Sequence, residues 1–372
     1  MKIAQISPLY EAVPPRLYGG TERVVATLCE ALVDLGHDVT LFASADANTR
    51  AKLVPVRDQA IRLDSAPLKS DLAAHLSMLY ELRERKDQFD IIHFHTDMLH
   101  FPLFEDMAHR TVTTLHGRLD MKDLPPVYRS WSKFPLVSIS DSQREHLPFA
   151  NWVGTVYHGM QADHANWFRP KPEGYLAFLG RMSPEKGPDR AIAIAKRLGM
   201  PLKMAAKVDT ADAAYFHREI EPLLDDPLIE FIGEIGDAQK PDFLGNAAAL
   251  LFPIDWPEPF GLVMIEAMAC GTPVVGYGCG SAPEVIDDGV TGYIVRDEDA
   301  AVAAVKAVTN LDRREVRRRF DRRFSATAMA RGYLDVYADR LARAPFAEHL
   351  ADDDAEDVDA ASRALTSLAQ IA

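Results

Sequence analysis

Short apolar runs rich in β-branched residues alternate along this chain with longer segments of helical period, and this alternation constrains the fold more than any other feature. Such runs, each followed by an amphipathic helix, assemble into parallel sheets covered by crossover helices, an α/β architecture. In the first half the strand candidates are Lys2 to Ile6, Val39 to Ala43, Ile91 to Phe94, Thr111 to Leu115, Leu136 to Ile139 and Thr155 to Tyr157. Glu22 to Leu35 places Val24, Val25, Leu28, Ala31, Leu32 and Leu35 on one face and stops at Gly36, as a crossover helix should. After a loop rich in Trp, His and Pro (160–174) the pattern restarts at Tyr175 to Leu179. It continues through Leu202 to Ala206, Ile229 to Phe231, Ala249 to Phe252, Pro273 to Gly276 and Thr291 to Val295. A chain of 372 residues exceeds the roughly 250–300 that one core supports. Two doubly wound domains are therefore expected, residues 1–167 and 168–324. Asp312 to Arg343 reads as helix, and 344–372 as an acidic, Ala-rich tail.

Charge and composition exclude several functions. The net charge of −14 makes a nucleic-acid partner a poor fit, and Asp352-Asp353-Asp354, Glu356, Asp357 and Asp359 concentrate acid in the tail. No apolar stretch approaches the roughly 20 residues of a spanning helix, and Lys2 to Ile6 reads as a strand rather than a secretory segment. Three dispersed cysteines, Cys29, Cys270 and Cys279, fit a reducing compartment. The expected location is cytoplasmic, or peripheral on the inner face of a membrane through basic residues in Arg62 to Lys86, a segment without a clear basic amphipathic face.

Four stretches carry candidate chemistry. Glu258-Pro259-Phe260-Gly261-Leu262-Val263-Met264-Ile265-Glu266 follows a strand candidate, with a helix expected to start near Phe260. Unpaired N–H groups at that start suit a phosphate, Gly261 permits close approach, and the two carboxylates are suited to sugar or ribose hydroxyls. Gly180-Arg181-Met182-Ser183-Pro184-Glu185-Lys186-Gly187 puts two cations at the carboxyl edge of a strand, where a diphosphate would need them. Gly19-Gly20-Thr21-Glu22 opens the first helix, as a phosphate cradle or with Thr21 as a simple N-cap. Histidines 93, 95 and 116 end successive strand candidates. Along a strand His93 and His95 are expected to point to opposite faces, which argues against a metal site. His93 is expected to be buried and structural, and His116 is the candidate for a sugar or phosphate contact. There is no Gly-Lys-Ser/Thr phosphate loop, and no G-x-G-x-x-G follows the first strand, so neither a P-loop ATPase nor an NAD-dependent oxidoreductase is indicated.

Taken together these stretches resemble glycosyltransferase family four, retaining enzymes of the GT-B fold with two Rossmann-like domains facing across a cleft. The resemblance spans most of the chain. It implies that Glu258 contacts the donor sugar and Glu266 the ribose, and that Arg181 and Lys186 bind the diphosphate. It further implies that Gly19 and Gly20 form the glycine-rich loop, that Phe260, Gly261 and Leu262 lie against the donor, and that His116 contacts the sugar at the reaction centre. Domain 1–167 would face the acceptor, domain 168–324 would hold the nucleotide sugar, and the helix at about 325–343 would cross back to the first domain. Where many members carry Asn-Gly, this chain has Tyr157-His158-Gly159. The implied activity is transfer of a hexose from a UDP- or GDP-linked donor to a sugar, lipid-linked or small-molecule acceptor, without a metal or other cofactor. The alternatives are a nucleotide-sugar 2-epimerase of the same fold and a non-catalytic sugar-nucleotide-binding protein.

Overall fold

The computed structural model describes residues 1–16 and 19–343; the tail at 344–372 lies outside the described residues. Among the described residues thirteen strands form two wholly parallel sheets. The first holds β1 (Lys2–Ile6), β2 (Asp38–Ala43), β3 (Lys52–Pro55), β4 (Ile91–Phe94), β5 (Thr111–Thr114), β6 (Leu136–Ser138) and β7 (Trp152–Thr155), in the order β3-β2-β1-β4-β5-β6-β7. The second holds β8 (Tyr175–Arg181), β9 (Leu202–Lys207), β10 (Ile229–Gly233), β11 (Ala247–Phe252), β12 (Val274–Tyr277) and β13 (Gly292–Val295), in the order β10-β9-β8-β11-β12-β13. Each order reverses direction once, at β1/β4 and at β8/β11. At such points the loops splay apart and leave a crevice beyond the strand ends.

Strand periodicity explains why both faces of the first sheet are apolar. Ile3, Val39, Leu41 and Ile91 pack with Val24, Val25, Leu28 and Leu32 of the helix Gly20–Asp34. Their neighbours Ala4, Phe42, Ile92 and Phe94 pack on the opposite side with Met78, Leu79 and Leu82 of the helix Asp71–Glu84. The second sheet divides in the same way, with Ala177, Leu250 and Phe252 in one core and Leu176, Phe178, Ala249 and Leu251 in the other. No described helix is long and apolar enough to cross a membrane.

Several expectations are corrected. The last strand of the first sheet is Trp152–Thr155 rather than Thr155 to Tyr157. The edge strand Lys52–Pro55 and the helix Asp71–Glu84 carry no clear sequence signal. One ends in a proline, and the other has almost no amphipathic contrast because Leu72, Leu76 and Tyr80 are exposed. The stretch expected as one helix from Asp312 to Arg343 is two, Arg313–Arg323 and 326–343. Phe324 is fully buried and gives its carbonyl to the Met160 N–H at 3.0 Å, while Ser325 Oγ accepts from the Ala328 N–H at 3.2 Å and starts a new helix.

That second helix packs on the first sheet, burying Met329, Ala330, Tyr333 and Tyr337 among Val24, Val112 and Val137. Its entry needs glycine at 159, where an added Cβ would stand 2.5 Å from the Ser325 carbonyl oxygen and 2.9 Å from Met329 Cβ. Gly159→Ala is therefore expected to lower unfolding stability by about 1–3 kcal/mol, read as a reduced urea midpoint. An unchanged midpoint would mean that the crossing can shift freely.

Candidate functional site

The carboxyl ends of the two sheets face each other, and a cavity of about 340 Å³ lies where the switch points meet. The first domain contributes Gly19, Gly20, Thr21, Arg23, His116 and His158 to its wall, and the second contributes Arg181, Lys186, Lys240, Glu258, Phe260, Gly261, Leu262 and Glu266. All ten residues singled out from the sequence line this one space. A second cavity of about 410 Å³ opens beside it, shares Lys240, Val263 and Glu266, and extends past Ala206, Glu234 and Ile235.

Arg181 ends β8, and Lys186 closes the tight turn Pro184–Lys186. Lys186 Nζ forms an ion pair with Glu258 Oε2 and lies 4.8 Å from the centroid of the Trp256 ring. Trp256 Nε1 donates to the same oxygen at 3.0 Å. Arg181 is ringed by acids, with Glu185 at 2.5 Å, Asp212 at 3.6 Å and Asp209 at 3.8 Å. Both cations thus have protein partners, and an incoming anion must exchange with those carboxylates.

The helix carrying Glu266 spans Leu262–Ala269, two residues later than expected from Phe260. Gly261 explains the delay. It holds the N-cap position at φ 78°, left-handed backbone that glycine alone adopts without strain, so the chain cannot be helical before it. Glu258 therefore belongs to the preceding loop and Glu266 to the helix, and the two carboxylates reach one cavity from different elements. Glu266 Oε1 accepts from Lys240 Nζ at 2.7 Å, and Lys240 also lies 3.1 Å from Asp237. Asp237 in turn pairs with Arg23 of the first domain. At the start of the helix Gly20–Asp34 the N-cap is Gly19, with no side-chain cap, so Thr21 is not the cap but lies inside the helix. Two helix N-termini, one from each domain, thus open on the same space and favour a negative charge there.

The histidines depart from expectation. His93 and His95 are two positions apart, so the strand period of two places them on the same face, with ring centroids 4.1 Å apart. His93 is fully buried. His116 approaches His95 at 2.8 Å and stacks on His158 at 5.2 Å between centroids. Burial pushes the His116 imidazole down to about 3 and holds His93, His95 and His158 well below the usual histidine range, with neighbouring imidazoles adding repulsion. All four are neutral at pH 7. Among the described residues no group of three or more His, Cys, Asp or Glu side chains could hold a metal ion.

The domains are also tied beside the cavity. Glu284, after β12, accepts from the Asp141 and Ser142 N–H groups, both at 2.7 Å, at the start of the short helix Asp141–Arg144. Sequence reasoning missed Glu284, Lys240, Arg23, Trp256 and the wall position of His158. Lys240, Arg23, Glu284 and His158 are set by contacts with residues at least 26 positions away, whereas Trp256 stands two residues before Glu258 and is tied to it locally; only the His158-Gly159 departure is a visible signal.

Two family models match successive parts of the chain, Glycosyltransferase Family 4 over residues 18–173 and Glycosyl transferases group 1 over residues 160–325. Among curated relatives, a glycogen synthase of Mycobacterium tuberculosis is 26% identical, over 90% of this chain and 94% of the relative. A D-inositol 3-phosphate glycosyltransferase of Mycolicibacterium smegmatis is 25% identical, over 76% of each. Among solved structures, AviGT4, a glycosyltransferase involved in avilamycin A biosynthesis, aligns with a TM-score of 0.70 at 26% identity, covering 92% of this chain and 98% of that one. Sucrose-phosphate synthase from Thermosynechococcus elongatus aligns with a TM-score of 0.74 at 17% identity, over 92% and 100%, a likeness of fold.

Proposed function

This chain belongs to glycosyltransferase family four and has the GT-B fold, and we propose that it transfers a hexose from a nucleoside-diphosphate sugar to an acceptor hydroxyl with retention at the anomeric carbon. The observation that carries this reading is the double pair Lys186–Glu258 and Lys240–Glu266, set around one cavity against a helix N-terminus. A diphosphate takes Lys186 and Arg181, together with the N–H groups after Gly261. Glu258, released from Lys186, turns to the sugar, and Glu266 receives the ribose hydroxyls. The adjoining cavity then holds the base of a UDP- or GDP-linked donor.

Transfer proceeds on one face. The bond from the anomeric carbon to the phosphate oxygen breaks through an oxocarbenium-like state, and the acceptor oxygen bonds to the carbon from the side the phosphate leaves. The acceptor proton passes to the departing phosphate oxygen. Arg181, Lys186 and the helix N-terminus stabilise the growing negative charge, the task a divalent ion performs elsewhere, and His116 and the Gly19-Gly20 turn hold the sugar. Turnover is therefore expected to be unchanged by chelator.

A thermal-shift screen with UDP, GDP, ADP and their sugars tests the donor site, since a ligand bound only by the folded state raises its apparent stability. No shift with any of them removes the reading. With the responding donor, NMR of the product distinguishes a retained from an inverted anomer, and incubation without acceptor reveals an epimer if the chain is an epimerase. Arg181→Ala is expected to weaken nucleotide binding and lower kcat together, each on the order of ten- to a hundredfold. Equal values in the variant would remove Arg181 from the diphosphate site.

A further inference from the structure

Behind His116 runs a hydrogen-bonded chain that ends on the final helix. Tyr337 Oη lies 3.1 Å from Gln5 Nε2 and 2.7 Å from His93 Nδ1. Gln5 Oε1 lies 2.8 Å from His95 Nε2, and His95 Nδ1 lies 2.8 Å from His116 Nε2. On the other branch His93 Nε2 meets Thr114 Oγ1 at 2.8 Å, and Thr114 Oγ1 meets Tyr333 Oη at 2.9 Å. Gln5, His93, Thr114, Tyr333 and Tyr337 are fully buried, and His95 is 2% exposed. Solvent is shut out, so each group's role is set by its neighbours.

A carboxamide has one donating and one accepting end, so the orientation of the Gln5 amide sets the direction of the chain. Gln5 Nε2 donates to Tyr337, which leaves Gln5 Oε1 to accept, so His95 carries its proton on Nε2. A neutral imidazole protonated there has a bare Nδ1. The proton between the two rings therefore sits on His116 Nε2, and His116 Nδ1 is left as a lone pair. That Nδ1 is buried and has no partner in the protein, although its ring lines the cavity between the domains.

We propose that Gln5, His95 and Tyr337 are positioning residues that lock His116 in its Nε2–H tautomer, so that His116 Nδ1 accepts a hydrogen bond from a hydroxyl of the transferred sugar. Only the identity of the ligand rests on the proposed transfer; the tautomer follows from the orientation of the Gln5 amide in the hydrogen-bonded chain. Docking of the final helix is thereby felt at His116, although the two Tyr side chains reach it only through other residues. With the Gln5 amide reversed, every bond would reverse, and His116 Nδ1–H would be a donor suited to phosphate.

The test is a two-bond ¹H–¹⁵N spectrum of the ¹⁵N-histidine-labelled full chain at pH 7, with His116 assigned through His116→Gln. In the unsubstituted protein His95 and His116 are both expected as pure Nε2–H tautomers. Gln5→Met is expected to mix the tautomers at both rings and to lower kcat about tenfold, the effect of one lost hydrogen bond, with KM for the donor little changed. An Nδ1–H signal for His116 in the unsubstituted protein overturns the proposal, and so does an unchanged tautomer pattern in Gln5→Met. Circular dichroism checks folding. Should Gln5→Met not fold, the spectrum of the unsubstituted protein decides alone. If no sugar nucleotide is turned over, the transfer reading fails while the spectrum still decides the tautomer.

Discussion

Glu258→Gln is expected to lower kcat by on the order of a thousandfold while nucleoside-diphosphate affinity stays within a few-fold of the parent. The substitution keeps the shape of the side chain and removes its charge. The loop itself is held by the backbone, since the Ser281 N–H donates to the Glu258 carbonyl at 3.0 Å and the Glu258 N–H to Trp256 O at 2.8 Å. The geometry should therefore survive. The carboxylate neutralises Lys186 and receives Trp256 Nε1. Once the diphosphate has taken Lys186, the same negative charge lies against a sugar that is becoming cationic, in a cavity walled by protein where such an interaction is weakly screened. Binding does not suffer in the variant, because Lys186 no longer needs to exchange partners. Isothermal titration with the responding nucleotide and steady-state turnover measure the two effects separately. A kcat within twofold of the parent would remove Glu258 from the reaction centre, and a parallel loss of affinity would make it a binding group only.

The parts of this site legible in the sequence are those fixed within one loop. The step from β8 into Arg181 and Lys186, and the Glu258 to Glu266 stretch, are local motifs beside local secondary-structure signals. Their residues line the same cavity because parallel sheets bring every strand's carboxyl end to one edge. The start of the helix Leu262–Ala269 differs from the sequence expectation because its limit is a backbone conformation, the left-handed turn at Gly261, which no periodicity reports. Lys240 and Arg23 were invisible for another reason. Each matters through Asp237 or Glu266, and no periodicity reports which loops meet across a cleft. The error over His93 and His95 came from the strand period itself. A separation of two residues returns to the same face, which is what allows both rings to join one buried chain.

The same buried imidazoles should make the fold acid-labile above the range in which carboxylates titrate. His93, His95, His100 and His158 are at most 4% exposed, and burial holds each well below the usual histidine range; His116, pushed down to about 3, joins them. In the unfolded chain a histidine titrates near 6.5. Below that pH the unfolded state binds protons that the folded state refuses, so unfolding free energy rises with pH and is lost as pH falls. Each such group lowers unfolding stability between pH 7 and 5.5 by on the order of 1 kcal/mol, offset in part by Asp97, pushed up to about 6 by burial, and by Glu22, also raised by burial, which take up protons in the folded state; against a total stability of about 5–15 kcal/mol the net loss is large. Carboxylates held below their ordinary range by arginine or hydrogen-bond partners, such as Asp106 beside Arg83 and Asp120 beside Arg118, add their own loss only at lower pH. The first domain, which holds all five, is therefore expected to show a urea midpoint that falls from pH 7 to 5.5, and a midpoint flat across that range would contradict the neutral cluster. His100 offers an internal control because it is stacked on Phe94, 3.6 Å between centroids, and is absent from the walls of both donor-side cavities. His100→Phe should reduce proton uptake on unfolding at pH 5.5 by about one, leaving the remaining slope to the imidazoles at and behind the cleft together with His75, which burial also holds below its usual range.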